Sequence, residues 1–297
     1  MNYRSEEFWR WKHELNPFGS SLVLVAEQEN KIIGLRTLMK WRFRHLNKTI
    51  QAFRPVDTVI HPDWRRKGIF ERLTRLAIND VTAVADSNFL FNTPNKVSGR
   101  GYEKMGWIKS GKTNLLIGPY PINILKNKFS NYSSFALQKF KLSEKIISYL
   151  KGWNELNNES LITDYSPEYL QWRYGDVPGV HYQFKEISYQ GEFALAIFRQ
   201  REVRRLQELR IVELFHTGRP QVIRELLDGL NAAFRPDLIT LLDNGKWSLK
   251  SLLPGHFIKA SGIGFDLYIR QTNSSSVFEL VSDQQLRLWS AGTLEIF

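Results

Sequence analysis

Val56-Asp57-Thr58-Val59-Ile60-His61-Pro62-Asp63-Trp64-Arg65-Arg66-Lys67-Gly68-Ile69-Phe70 is the stretch whose reading decides the fold. Its first five residues form a short, β-branched run that reads as a strand, and His61-Pro62-Asp63 breaks it. Ile69, Leu73, Leu76 and Val84 then fall at helical spacing, so the stretch is a strand, a basic turn and a helix. A helix start presents N–H groups with no partner inside the helix, together with a partial positive charge. Gly68 in the turn lets the backbone approach a bulky anion, and Arg65, Arg66 and Lys67 add charge of the right sign.

Downstream, Phe89-Leu90-Phe91-Asn92 reads as a buried strand and residues 95–100 as a polar break. Gly101-Tyr102-Glu103-Lys104-Met105-Gly106-Trp107 reads as a helix end turning into a strand. Upstream lies one copy of an internal repeat. Trp11-Lys12-His13 with Pro17 matches Trp172-Arg173-Tyr174 with Pro178, and both the tryptophans and the prolines are 161 positions apart (172 − 11 and 178 − 17). Each copy continues with a hairpin pattern, 21–26 with 31–39 and 182–188 with 192–200. An acid-bearing strand follows in each, 53–61 with Asp57 and 209–216 with Glu213. In the second copy a helical run at 222–230 and strands at 238–242 and 265–270 complete a similar outline, but its strand-to-helix turn, His216-Thr217-Gly218-Arg219-Pro220, has no Arg-x-x-Gly.

The turn at Arg65, Gly68 and Phe70 resembles motif A of the GNAT acetyltransferase superfamily, Arg/Gln-x-x-Gly-x-Gly/Ala, with Phe70 in place of a small residue. Tyr102-Glu103-Lys104-Met105-Gly106-Trp107 is similar to its motif B, Tyr-x-x-x-Gly-Phe, and the two occur in the family's order. The resemblance implies an α+β fold of two tandem GNAT-like domains, each a mixed, mostly antiparallel sheet flanked by helices. It implies a domain at 1–118 with an acyl-CoA site, a helical lysine-rich connector at 119–158, and a degenerate copy at 159–297 that contributes to the acceptor site. It further implies acetyl-CoA as acyl donor, its pyrophosphate cradled by Arg65, Arg66, Lys67, Gly68, Ile69 and Phe70, with the Phe70 side chain turned into the core. The thioester carbonyl would meet the backbone of Val59 and Ile60 where the fourth strand of the fold splays from the fifth. Tyr102 would protonate the departing thiolate.

Asp57 interrupts an apolar strand beside that gap, and burial there is expected to raise its pKa into the range of a general base. A structural role, paired with Arg54 or an N-terminal group, is the alternative. Asn92 and Asn95 are candidates for holding amides of CoA, or for satisfying local backbone. Arg199, Arg201, Arg204 and Arg205 surround the second hairpin and could meet an acidic acceptor.

Composition narrows the chemistry. The chain has 297 residues, about twice an ordinary domain, and 42% are hydrophobic, enough for two cores. Zero cysteines and six histidines without ligand spacing argue against metal catalysis. A formal charge of +11 favours an anionic partner, such as a phosphorylated donor or an anionic or nucleotide-linked small-molecule amine. No RNA-binding signature occurs, so nucleic acid is a disfavoured partner. No apolar window reaches the roughly 18 to 20 residues of a membrane span, and the charged start MNYRSEEFWRWKHEL is unlike a signal peptide, so a soluble, cytoplasmic protein is expected. Residues 126–151 hold six lysines with interleaved apolar residues, which reads as a solvated connector helix before it reads as a weak membrane-surface contact. The function expected is therefore an acyl-CoA-dependent N-acyltransferase acting on a primary amine of a small or carbohydrate-linked metabolite. A Fem-type aminoacyl-tRNA-dependent transferase and a non-catalytic CoA-binding protein are the alternatives.

Overall fold

Alternation of apolar residues along long strands, interleaved with amphipathic helices, produces one large sheet in the computed structural model, which describes residues 5–84, 89–127, 140–243, 253–272, 277–284 and 286–294. The first half runs α1 (Glu6–His13), β1 (Leu22–Gln28), β2 (Lys31–His45), β3 (Lys48–Ile60), α2 (Ile69–Val84), β4 (Phe89–Asn92), α3 (Lys96–Lys104) and β5 (Ile108–Pro119). Then come α4 (Pro121–Asn127), α5 (Glu144–Leu156), β6 (Leu161–Thr163) and α6 (Pro167–Leu170). The second half has β7 (Gln183–Tyr189), β8 (Glu192–Val203), β9 (Leu206–His216), α7 (Pro220–Phe234), β10 (Leu238–Asp243), β11 (Ile258–Gln271), α8 (Val277–Ser282), β12 (Arg287–Leu288) and α9 (Ala291–Leu294). The sheet order is β12-β6-β2-β3-β4-β11-β5-β10-β9-β8-β7, with β1 also beside β2. Among the described residues only β3/β4, β9/β10 and β6/β12 pair in parallel, so the fold is α+β with a mostly antiparallel sheet.

Residue alternation sends each face of the sheet to a different core. In β8, Ala194, Ala196 and Phe198 pack under α7, while Leu195 and Ile197 join a central cluster with Trp11, Trp41, Phe43, Phe91 and Trp172. In β2, Leu38 packs under α2 with Leu90, Ala77, Ile78 and Val81, while Met39, Trp41 and Phe43 face the central cluster. Gly34 allows α2 to approach β2: a Cβ there would lie 3.0 Å from Ile69 Cγ2 and 3.2 Å from Leu73 Cδ1.

The repeat is visible as a reciprocal contact. Trp11 Nε1 donates to the carbonyl of Trp172, and Trp172 Nε1 donates to the carbonyl of Trp11, both at 2.7 Å. Their rings stack at 4.9 Å and 16°. A pair in which each member does to the other what the other does to it is the mark of a local twofold relation.

The halves nevertheless share strands, which local sequence patterns do not reveal. β11 lies between β4 and β5, and β5 in turn pairs with β10 (Leu116 opposite Leu241). Residues 1–118 and 159–297 therefore do not form separate sheets. The connector region contains α4 and α5, and the part of the expected helix at 128–139 lies outside the described residues. Residues 96–100, read as part of a polar break, belong to α3 because Asn95 Oδ1 accepts from the Ser98 N–H at 2.9 Å and caps it.

Candidate active site

The site begins where two parallel strands part. β3 and β4 pair only at Ala52 with Phe89 and Phe53 with Leu90. Beyond that point an open cavity of about 530 Å³ is lined by Arg54, Pro55, Val56 and Asp57 of β3, Asn92 and Thr93 at the end of β4, and Phe265 of β11. Lys12 of α1, Arg199 and Arg201 of β8, and Leu294 of α9 complete the wall.

Asp57 sits at a bulge in β3, with its backbone in the left-handed region at φ 44°. Its Oδ2 accepts from Lys12 Nζ at 2.7 Å and contacts His13 Nε2 at 2.9 Å, and His13 Nδ1 is 2.9 Å from Ser21 Oγ. Arg54 is not its partner, since that guanidinium donates to the carbonyls of Thr293 and Leu294 and to Thr93 Oγ1. The expected upward shift of the Asp57 pKa is not what the surroundings produce. Burial pushes it up, but the His13 and Lys12 contacts outweigh burial and hold the carboxyl below its usual range. Burial draws the Lys12 ammonium down, opposed by Asp57. In the sequence Lys12 and His13 stand out only as part of the tryptophan repeat; a Lys-His pair on the buried side of an amphipathic helix is the signal that could have found them.

The turn before α2 is open. Arg65, Arg66, Lys67 and Gly68 are exposed, and Gly68 has φ +75° with nothing within 4 Å of the point where a Cβ would stand. Lys67 Nζ rests 4.3 Å from the centroid of the Trp64 ring. Ile69 and Phe70 open the helix, and Phe70 turns inward against Tyr102, ring centroids 5.9 Å apart in an edge-on arrangement. Val59 and Ile60 pair with Leu35 and Gly34 on one side, so their other edge borders the splay.

Tyr102 is buried on α3 and accepts a hydrogen bond from Arg36 Nη1 at 3.1 Å. Arg36 also donates to Thr58 Oγ1 at 2.6 Å and stacks over the Phe70 and Tyr102 rings. It is almost fully buried without a carboxylate partner among the described residues, and its place at an alternating position of β2 hid it in the sequence. Tyr102 and Asp57 thus lie toward different layers, one under α2 and α3, the other against α1. Asn92 is buried and its Oδ1 accepts from the Thr93 N–H, while Asn95 serves the α3 cap, the local roles open to loop asparagines. No His, Asp or Glu cluster suited to a metal ion occurs among the described residues.

The family model for the acetyltransferase (GNAT) domain matches residues 2–109. This part of the chain is thus similar to a GNAT domain. Solved structures agree in fold. A GCN5-related N-acetyltransferase from Anabaena variabilis is 16% identical at a TM-score of 0.60, over 84% of this chain and 62% of that one. One from Kribbella flavida is 10% identical at 0.57, over 85% and 61%. The N-myristoyltransferase of Saccharomyces cerevisiae, solved with bound myristoyl-CoA, is 10% identical at 0.55, over 99% and 81%. The chain thus spans about three fifths of the Anabaena and Kribbella proteins. The comparison with curated proteins finds no match.

The splay that is open in the first half has a filled counterpart in the second half. β9 and β10 pair from Glu208 with Leu238 to Arg210 with Thr240 and then part. Trp153 of α5, Tyr165, Leu288, Ser290 and Ala291 occupy that gap and leave a cavity of about 30 Å³. Glu213 lies on the strand after the second hairpin as Asp57 lies on the strand after the first, and Tyr174 donates to its Oε1 at 2.5 Å as His13 meets Asp57. Tyr165 donates to Oε2 at 2.9 Å. Burial pushes the Glu213 carboxyl up to about 7 despite these hydrogen bonds. At the α7 start, Pro220 takes the first helical position and Arg219 pairs with Glu192 at 2.7 Å, so the turn's glycine, Gly218 at φ +94°, stands two residues before the helix instead of directly before it as Gly68 does.

Proposed function

We propose that this chain transfers an acetyl group from acetyl-CoA to the primary amine of a small or carbohydrate-linked metabolite. The observation that carries this reading is the contrast between the two splays: about 530 Å³ beside Asp57, in the half whose helix α2 opens on an exposed glycine turn, against about 30 Å³ in the second half. Acetyl-CoA, when bound, supplies an activated acyl group and a thiolate leaving group. The backbone N–H groups from Arg66 to Phe70 suit its pyrophosphate, with Arg65, Arg66 and Lys67 adding positive charge. The free edge of Val59 and Ile60 suits the thioester carbonyl, and the Asn92 carboxamide borders the same gap.

Asp57 is ionised at neutral pH and attracts the acceptor's ammonium group, which releases one proton to solvent so that the neutral amine can attack. It takes the amine proton once attack on the carbonyl makes the nitrogen acidic, and His13 is bonded to the same carboxylate to share it. Tyr102 gives its proton to the thiolate. Because Arg36 already donates to the Tyr102 oxygen, the phenol proton is free to point elsewhere and the developing tyrosinate meets a guanidinium.

Calorimetric titration with acetyl-CoA, followed by thiol release across an amine library, tests the reading. Absence of binding at saturating acetyl-CoA would sink it. Tyr102→Phe should lower turnover by roughly 10²- to 10⁴-fold while leaving CoA affinity in place. Binding without thiol release would favour the non-catalytic alternative, and preferred, steeply salt-dependent tRNA binding the Fem-type one.

A further inference from the structure

A fully buried cation without an anion stands beside Tyr102. Gly34, Arg36 and Leu38 form the row of β2 that faces α2, and Arg36 within it is 1% exposed. Its Nη1 donates to Tyr102 and to Thr58 Oγ1, and Thr58 lies beyond the last β3–β4 pair at Phe53, so the guanidinium sits under the open edge of the splay. Nε and Nη2 are sealed from solvent and meet no acceptor among the described residues, none of whose carboxylates pairs with Arg36. Its other neighbours are the rings of Phe70 on α2 and Tyr102 on α3.

A guanidinium keeps its proton across the working range of an enzyme, so taking it out of water with neither counter-ion nor a full set of acceptors is unfavourable. Packing a helix on this sheet does not demand it. The row of β8 that faces α7 is Ala194, Ala196 and Phe198, all apolar. Of the two rows, the one with the cation belongs to the half with the open splay.

Acetyl transfer supplies an anion at this place. When the neutral amine attacks, the C–N bond forms, the C–S bond breaks and its electron pair stays on sulfur, while the amine proton leaves through Asp57 to solvent. The sulfur and Tyr102 then hold one proton and one negative charge between them, whichever atom carries the proton. We propose that Arg36 is the counter-charge of that pair, so that CoA binds with a single proton shared between its sulfur and Tyr102 and releases the other to solvent. The proposal rests on the acetyl-transfer reading and adds a positioning residue that acts on the leaving group through Tyr102. Sealed from water, its charge is unscreened where the leaving group's charge develops.

Calorimetric titration with CoA and with desulfo-CoA, repeated in buffers of different ionisation heat, counts the protons released; protons from the phosphates cancel between the two ligands. An ordinary thiol, with a pKa of about 8.5, is almost wholly protonated at pH 7. CoA should therefore release close to one proton at pH 7 that desulfo-CoA does not. Because the free ligand holds a proton that the complex lacks, the affinity of CoA relative to desulfo-CoA should rise by up to about tenfold per pH unit below about pH 8.5. Arg36→Met, which keeps a long buried side chain without its charge, should abolish both effects while binding desulfo-CoA as the unaltered protein does. Its kcat should fall about 10- to 100-fold, the range set by one charge-assisted hydrogen bond, with KM for acetyl-CoA little changed. Arg36→Lys should recover part of the proton release, and Arg36→Gln serves in place of Arg36→Met if the latter does not fold. No extra proton from CoA in the unaltered protein, or one that persists in the uncharged variant, overturns the proposal and leaves acetyl transfer standing. Failure of both CoA and desulfo-CoA to bind would instead remove the reading beneath it.

Discussion

Asp57 and Glu213 occupy matching places in the two halves yet experience opposite fields. Asp57 meets Lys12 and His13 and is held below its ordinary range, whereas Glu213 is fully enclosed among Tyr165, Tyr174 and Ser290, and burial raises it to about 7. For Glu213 the sign follows from proton counting. Between its ordinary value of 4.5 and about 7, the folded state holds a proton that the unfolded state has released. The associated stability is therefore fully present below about 4.5 and is lost as pH rises through about 7. At about 1.4 kcal/mol per pH unit this amounts to roughly 3 kcal/mol. Glu213→Gln, which keeps the shape but cannot ionise, should flatten the dependence of Tm on pH between 5 and 8. Parallel curves for the two proteins would show that Glu213 does not titrate in that interval.

Among elements, the turn from Arg65 to Ile69 is the one whose loss should separate binding from folding. Gly68 adopts φ +75°, which costs a side-chain-bearing residue about 1 kcal/mol, but open space surrounds its Cβ direction. Gly68→Ala should thus lower stability only slightly, while Gly68→Asp adds a negative charge where a pyrophosphate would lie and should abolish acetyl-CoA binding in calorimetry with circular dichroism unchanged. Retained binding by Gly68→Asp would move the cofactor elsewhere. The strand, turn and helix were legible in the sequence because their signals are local: β-branched residues, a Pro break and apolar residues at helical spacing. So was the repeat, through its tryptophans. What was not legible is non-local. Nothing in residues 258–271 announces that the strand lies between β4 and β5, because pairing depends on which edges are left open by the rest of the chain. The same holds for the site: Lys12 and His13 reverse the expected Asp57 shift, and Arg36 reaches Tyr102 across 66 positions.

At the scale of the whole molecule, strand exchange turns two copies of a motif into one cooperative unit. β11 is hydrogen-bonded to β4 and β5 of the first half, β5 is hydrogen-bonded to β10 of the second, and the central core draws Trp11, Trp41 and Phe91 together with Trp172, Tyr174 and Phe215. Unfolding either half alone would strip edges from central strands and expose both faces of the Trp11–Trp172 stack. A calorimetric scan should therefore show one transition whose calorimetric and van't Hoff enthalpies agree. Trp172→Ala removes a nearly buried indole and leaves the Trp11 carbonyl without its donor, at a cost of about 3–5 kcal/mol. Although residue 172 lies in the second half, the variant should unfold in a single transition at lower temperature, and acetyl-CoA bound at the first half should raise that whole transition. Two resolved transitions, with only one moved by acetyl-CoA, would mean that the shared strands do not couple the halves.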